Sequence, residues 1–364
     1  MQEKLGGYAG KILRVDLSKG KSIQQPLSIE MVKGFLGGTG FQAKILWEET
    51  DANTDPLGPE NVLVFATGPL MGTMWTGSNR INVAAKSPLT GIWGESNAGG
   101  HFGHAIKYAG YDIIIIKGSS KNPVYLWIDD DHVELRSAKH LWGKLTSEVN
   151  DTIREEVGGS EVQVVCCGPA GENLVKFAGI IHHTRAAARC GLGAIMGSKN
   201  LKAVAVRGSK SIELAYPDRF YEFVEEIITQ CRESKHLQRR KDYGTTILVE
   251  LMNEIARWPV RNFQTGYFPY AKEMGGEIIR EKYRVKDRGS FSCLSPCEKP
   301  LMIKEGSYKG IYEKNPEYET LSAIGARCGI HNLDAIIYAN KLCNDYGIDT
   351  ISLGGTISWL MECY

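Results

Sequence analysis

The sequence predicts an α+β fold in two successive parts, and three observations carry that prediction. Short runs of strand character crowd residues 1–210. Beyond Pro217, apolar residues recur at intervals of three and four, the period of a helix with one buried face. Glycine supplies 41 of the 364 residues and clusters in the first 200 positions, where many turns and close backbone approaches are expected. The chain therefore divides into a strand-rich domain over 1–210 and a largely helical domain over 211–364, within the two or three domains expected at this length.

Within the first part, residues 11–16 alternate apolar and polar side chains and run into the turn Ser18-Lys19-Gly20. Residues 61–66, 113–116, 124–128, 162–165 and 201–206 are further short strands. Asp129-Asp130-Asp131 is a hairpin turn ahead of Val133. Helices are predicted over 29–48 and 143–157. In the second part, Phe220, Phe223, Val224, Ile227 and Ile228 mark a helix over 218–234. Residues 245–256 and 317–363 have the same texture, and 258–312 are irregular. The apolar-rich helix of 350–364 has no closing element after it. This predicts either a covering chain or a longer one.

Composition narrows the function. Lys and Arg number 43 against 42 Asp and Glu, so there is no basic excess of the kind that holds nucleic acid. No apolar run approaches the roughly 18 residues of a membrane span. The N-terminus lacks the apolar core of a signal peptide, which predicts a cytoplasmic protein. Nine cysteines without an export signal argue against a disulfide framework.

Four segments carry possible chemistry. Cys293 and Cys297 lie four apart in a Pro-containing loop, where two thiolates either converge on a metal or cluster or stand as ordinary cysteines. Arg185 and Arg189 share a face if they lie on a helical turn, which suits an anionic phosphate ligand as well as two solvated side chains. The polar, Gly-flanked stretches 78–80 and 95–100 can bring backbone N–H groups to a ligand. Residues 344–349 read as a helix end with a Gly cap. His182 and His183, adjacent in a strand, point to opposite faces and are expected to be structural.

Taken together and in order, these segments match one family. The chain resembles the tungsten-containing aldehyde:ferredoxin oxidoreductases through GGYAGKILRVDL (6–17), ATGPLMGT (66–73), KSPLTG (86–91), AGYD (109–112), GPAGEN (168–173), GSKNLKA (197–203), NFQTG (262–266), PEYE (316–319) and DYGIDTI (345–351). The resemblance implies a first domain of two β-sheets that bases a bis-pterin tungsten cofactor, followed by helical domains of which this chain holds only the front part. It implies that Arg80 contacts pterin and that Asn97, Ala98 and Gly99 hold its phosphate. Arg185, Ala186, Ala188 and Arg189 form the second phosphate segment. Asn97 and the Ala186 carbonyl face Mg²⁺, an ion suited to oxygen ligands. Asn344, Ile348 and Asp349 match a pterin motif, and Glu319 matches an active-site glutamate suited to proton transfer.

The family's cluster motif is C-x2-C-x3-C, with a fourth Cys in a later domain. Cys293 and Cys297 occupy two of these positions and Ser290 the first. The 4Fe–4S cluster usual in the family is thus expected to be altered, or to need a further chain. A Glu-x-x-His iron site of some dimeric members is replaced by Tyr338 and Lys341. The activity implied is oxidation of an aldehyde to a carboxylic acid. The metal is tungsten or molybdenum, and electrons pass to ferredoxin or an electron-transfer subunit. A benzoyl-CoA reductase-like tungsten subunit is an alternative, as is a non-catalytic pterin-binding or subunit-interaction module.

Overall fold

A computed structural model describes residues 6–364 and divides the chain into two compact units. Of the described residues, the first comprises 6–225, 290–292 and 345–348; the second comprises 226–289, 293–344 and 349–364.

The first unit contains two six-stranded sheets. One is built from β1 (Lys11–Asp16), β2 (Lys21–Pro26), β3 (Leu63–Ala66), β4 (Ile81–Lys86), β5 (Trp93–Ala98) and β6 (Ile113–Lys117), in the order β2-β1-β6-β3-β4-β5. The other is built from β7 (Val124–Asp129), β8 (His132–Ser137), β9 (Gln163–Cys167), β10 (Ile180–His182), β11 (Arg185–Ala187) and β12 (Leu201–Arg207), in the order β11-β10-β9-β12-β7-β8. The central strands β6 and β12 are buried along nearly their whole length, which explains their continuous apolar runs.

The side-chain period of two sorts these strands into layers. Leu13, Val15, Phe65, Ile114 and Ile116 of one sheet share a core with Leu126, Ile128, Val165, Val204 and Val206 of the other. On the first sheet's opposite face, Ile113 and Ile115 pack against Phe41, Ile45 and Leu46 of helix Thr39–Glu49. On the second sheet's outer face, Tyr125, Trp127 and Ala205 meet Val149 and Ile153 of helix Thr146–Val157. The result is helix, sheet, sheet, helix. The turn at Asp130, φ 51°, closes the β7–β8 hairpin where expected.

The single helix expected over 29–48 is two, Ile29–Phe35 and Thr39–Glu49. The break falls at the Gly37-Gly38 pair, with Leu36 at φ 60° and Gly38 at φ 51°. A Cβ on Gly37 would come within 3.0–3.1 Å of Gly68, Pro69 and the Thr67 carbonyl, so the chain must pass here as bare backbone.

The second unit is mostly helical, with a small hairpin of Pro300–Met302 on Tyr312–Lys314. Its core gathers Val249, Trp258, Phe268, Met274, Leu301, Leu321, Ile336 and Ile337. The helical texture of 317–363 resolves into several pieces. A short helix, Tyr318–Thr320, runs into a π turn, Leu321–Gly325, and a 3-10 turn, Ala326–Cys328. Helices Leu333–Tyr346 and Thr350–Cys363 follow, separated by Gly347 at φ 73°. On the last helix Trp359, Leu360 and Met361 are exposed. Among the described residues, no helix is long and apolar enough to cross a membrane.

Candidate functional site

In the first unit the two segments expected to hold phosphate meet at strand edges. β5 ends the first sheet, β11 ends the second, and the two lie side by side. Register explains how Arg80 reaches Asn97. Asn82 of β4 stands opposite Asn97 of β5. Arg80, two residues before Asn82 on extended chain, shares that face and is diagonal to Asn97. Its Nε donates to Asn97 Oδ1 at 2.6 Å. Both side chains are exposed, so the pair is presented to solvent.

The second segment is not the helical turn expected from the spacing of its arginines. Arg185 lies in strand β11, and Arg189 begins the 3-10 turn Arg189–Gly191. The cause is a tight hairpin at His183, φ 54°, which pairs His182 with Arg185 and Ile181 with Ala186. A two-residue turn makes His182 and Arg185 the hydrogen-bonded pair. The backbone N–H and C=O of Ala186, next along, therefore point out of the sheet edge. Ala188 connects β11 to the 3-10 turn. That turn is tied back to β5 and to the β4–β5 connection: the Arg189 N–H donates to Ser96 Oγ at 3.2 Å, and Ser87 Oγ donates to the Cys190 carbonyl at 2.8 Å.

Gly99, following Ala98 of β5, joins the two segments. A Cβ there would sit 2.7 Å from Ser290 Oγ and 3.0 Å from Arg185 Nη1. The missing side chain lets Ser290 and the Arg185 guanidinium close against the backbone, a cradle whose guanidinium wall suits a phosphate-bearing group. The next two amides are turned to the protein. Gly100 N–H donates to Ser290 Oγ at 2.9 Å, and His101 N–H donates to His182 Nε2 at 3.2 Å. His182 is neutral, its pKa held well below the usual histidine value by burial, and its Nδ1 bonds the Val164 carbonyl. His182 and His183 do not sit on opposite strand faces. His183 belongs to the turn, and the ring centroids are 4.8 Å apart.

The other expected site residues are divided. Ile348 belongs to the first unit, bridged to Ala178. Asn344, Asp349, Glu319, Cys293 and Cys297 belong to the second. Asp349 caps helix Thr350–Cys363, accepting from Ile351 and Ser352 amides at 3.2 and 3.0 Å. Glu319 is exposed on the short helix Tyr318–Thr320, directly before the π turn. Its neighbour Tyr318 stacks on buried Trp258 at 6.2 Å, and burial pushes that phenol up to about 12. Cys293 and Cys297 are half-buried on their loop. Among the described residues no group of three or more His, Cys, Asp or Glu side chains is set to hold a metal ion. A cluster of four thiolates would thus need ligands beyond these two.

Sequence reasoning missed Glu313. Its side chain is buried, accepts from Asn344 Nδ2 at 2.9 Å, and has a pKa raised chiefly by burial. In the sequence it is one more polar residue of a short strand, with nothing to set it apart.

The family model "Aldehyde ferredoxin oxidoreductase, N-terminal domain" matches residues 12–208, and the model for domains 2 and 3 matches 222–364. The chain belongs to the aldehyde ferredoxin oxidoreductase family. It is 45% identical over 361 residues to the tungsten-containing aldehyde ferredoxin oxidoreductase of Pyrococcus furiosus, covering 98% of this chain and 59% of that protein. It is 33% identical to the WOR-like subunit of an aliphatic sulfonate oxidoreductase from the same organism, with the same coverage. Among solved structures it matches a chain of the BamBC active-site complex of benzoyl coenzyme A reductase, with a TM-score of 0.86 and 29% identity. That match covers 98% of this chain and 56% of the other. This family member spans 59% of the length of the aldehyde ferredoxin oxidoreductase relatives it matches.

Proposed function

We propose that the chain is part of a tungsten-pterin oxidoreductase that oxidises an aldehyde to a carboxylic acid and passes the electrons to ferredoxin. The observation that carries the reading is the meeting of the Arg80–Asn97 pair, the Gly99 cradle and Arg185 at two adjacent sheet edges. Arg80 contacts the pterin, Asn97, Ala98 and Gly99 hold one phosphate region of the cofactor, and Arg185, Ala186, Ala188 and Arg189 hold the other. Asn97 Oδ1 and the outward carbonyl of Ala186 offer oxygen ligands to Mg²⁺, which favours such donors. Asn344, Ile348 and Asp349 contact pterin.

When bound, the metal–pterin group supplies the two-electron redox chemistry, and the protein supplies position and charge. Oxidation of an aldehyde with water releases two electrons and two protons beside the acid. Glu319 takes a proton from the reacting centre, a role suited to a carboxylate with access to solvent. Cys293 and Cys297 would supply two thiolates to an iron–sulfur centre, whose remaining ligands would have to come from elsewhere. Ferredoxin or an electron-transfer subunit receives the electrons.

The structural likeness to the benzoyl coenzyme A reductase complex supports a second reading, a reductase subunit of that kind. Metal analysis and assay separate the two. Stoichiometric tungsten with aldehyde-dependent viologen reduction supports the first reading. Tungsten without aldehyde turnover supports the second, and absence of pterin and metal from the fully supplied protein rejects both.

A further inference from the structure

Residues 290–292 are an excursion, flanked on both sides by chain of the second unit yet belonging to the first. Their attachment there is dense. Phe291 N–H donates to the Gly100 carbonyl at 3.3 Å, and its own carbonyl accepts from Asn79 Nδ2 at 3.1 Å. The Phe291 ring stacks on His104 with centroids 4.3 Å apart, and Ser292 Oγ donates to the Met74 carbonyl at 2.8 Å. Ser290 completes the clip by accepting the Gly100 amide at 2.9 Å while standing 2.7 Å from the Cβ position that Gly99 leaves empty.

We propose that Ser290 is a positioning residue for the Asn97–Gly100 segment and not an iron ligand. Thiolates are what hold iron–sulfur clusters, and a serine brings none. A hydroxyl is a compact, good acceptor for an amide, where a thiol is larger and weaker. Gly100 is buried, so its amide needs the partner that Ser290 supplies. With the Gly100 amide drawn to Ser290 and the His101 amide drawn to His182, the backbone immediately after Gly99 is fixed by two consecutive hydrogen bonds. The role at the cradle rests on the phosphate-binding reading of residues 97–99.

Hydrogen–deuterium exchange of the protein as expressed, wild type against Ser290→Ala, reads this amide directly. Loss of the acceptor is expected to speed exchange at Gly100 roughly tenfold, the scale of one hydrogen bond to a buried group. Exchange in β12 is expected to stay unchanged, showing that the fold is intact. Pterin per chain is expected to fall, with iron per chain the same in both proteins. The exchange measurement needs no cofactor. If wild type carries no pterin, the phosphate reading fails while the positioning role is still tested. Unchanged exchange at Gly100, or iron per chain that drops in Ser290→Ala, overturns the proposal.

Discussion

Lys107 and Asp112 form an ion pair, Nζ to Oδ1 at 2.5 Å, in which neither side chain has any solvent exposure. Around it the first described residues are fastened. Lys107 Nζ also donates to the Gly7 carbonyl at 2.6 Å, and Asp112 accepts the amides of Ala9 and Gly10 at 3.1 and 2.7 Å. The glycine-rich start of the chain and the Ala109–Asp112 stretch, far apart in sequence, are thus one structural device.

Removing one partner of such a pair leaves a buried charge uncompensated, which typically costs about 3–5 kcal/mol. Asp112→Asn is expected to lose stability on that scale in urea unfolding. A loss below about 1 kcal/mol would show that the pair is dispensable.

The buried carboxyl of Glu313 gives a pH-dependent expectation. Its folded pKa is raised, so the folded state holds the proton to higher pH than the unfolded chain. Its contribution to stability is fully present below the unfolded value, near 4.5, and is lost as pH rises through the folded pKa. Glu313→Gln keeps an acceptor for Asn344 and removes the ionisation. The variant is expected to melt higher than wild type at pH 7 and alike at pH 4.5. Equal melting temperatures at both pH values would count against a raised pKa.

Much of the first unit is readable from its residues, and its exceptions share a physical cause. The strands β1, β6 and β12 follow from alternation or from continuous apolar runs, because each is buried on one or both faces. The break at Leu36–Gly38 falls on the Gly37-Gly38 pair, a local stop signal, and the close approach of residues 67–69 explains why Gly37 carries no side chain. The paired arginines stand out in the sequence, but their conformation does not. Four residues apart suggests a helix, and only the pairing of Ile181 with Ala186 makes the first of them a strand residue. The π turn after Thr320 carries no distinctive sequence, and neither does Glu313.

Arg185 and Arg189 provide a cofactor test. If they hold phosphates, the double variant Arg185→Ala, Arg189→Ala should lose most of its bound pterin while melting within a few degrees of wild type, because charge-assisted bonds to phosphate are among the stronger polar contacts. Mass-spectrometric pterin analysis after acid release would decide, and full loading would remove both arginines from the site.

Glu319 offers a separate kinetic test. Its exposed position predicts that Glu319→Gln folds normally. As a proton-transfer group its loss should reduce turnover by about 10²- to 10⁴-fold with tungsten content retained. Turnover within twofold of wild type would make it a bystander.

Ser290 lies 190 residues after Gly100, and this separation sets a timetable as well as a contact. At roughly 5–20 residues per second of synthesis, the Gly100 amide waits on the order of 10–40 s after its own emergence before its acceptor has even been made. Closing so long a stretch of chain also carries a larger entropic cost than any hairpin within the sheets. The strands β4 and β5 can therefore pair early, while the glycines beside them stay unclipped until the ribosome has written about half of the second unit. For that interval the nascent chain presents its cradle open on the side that Ser290 later occupies.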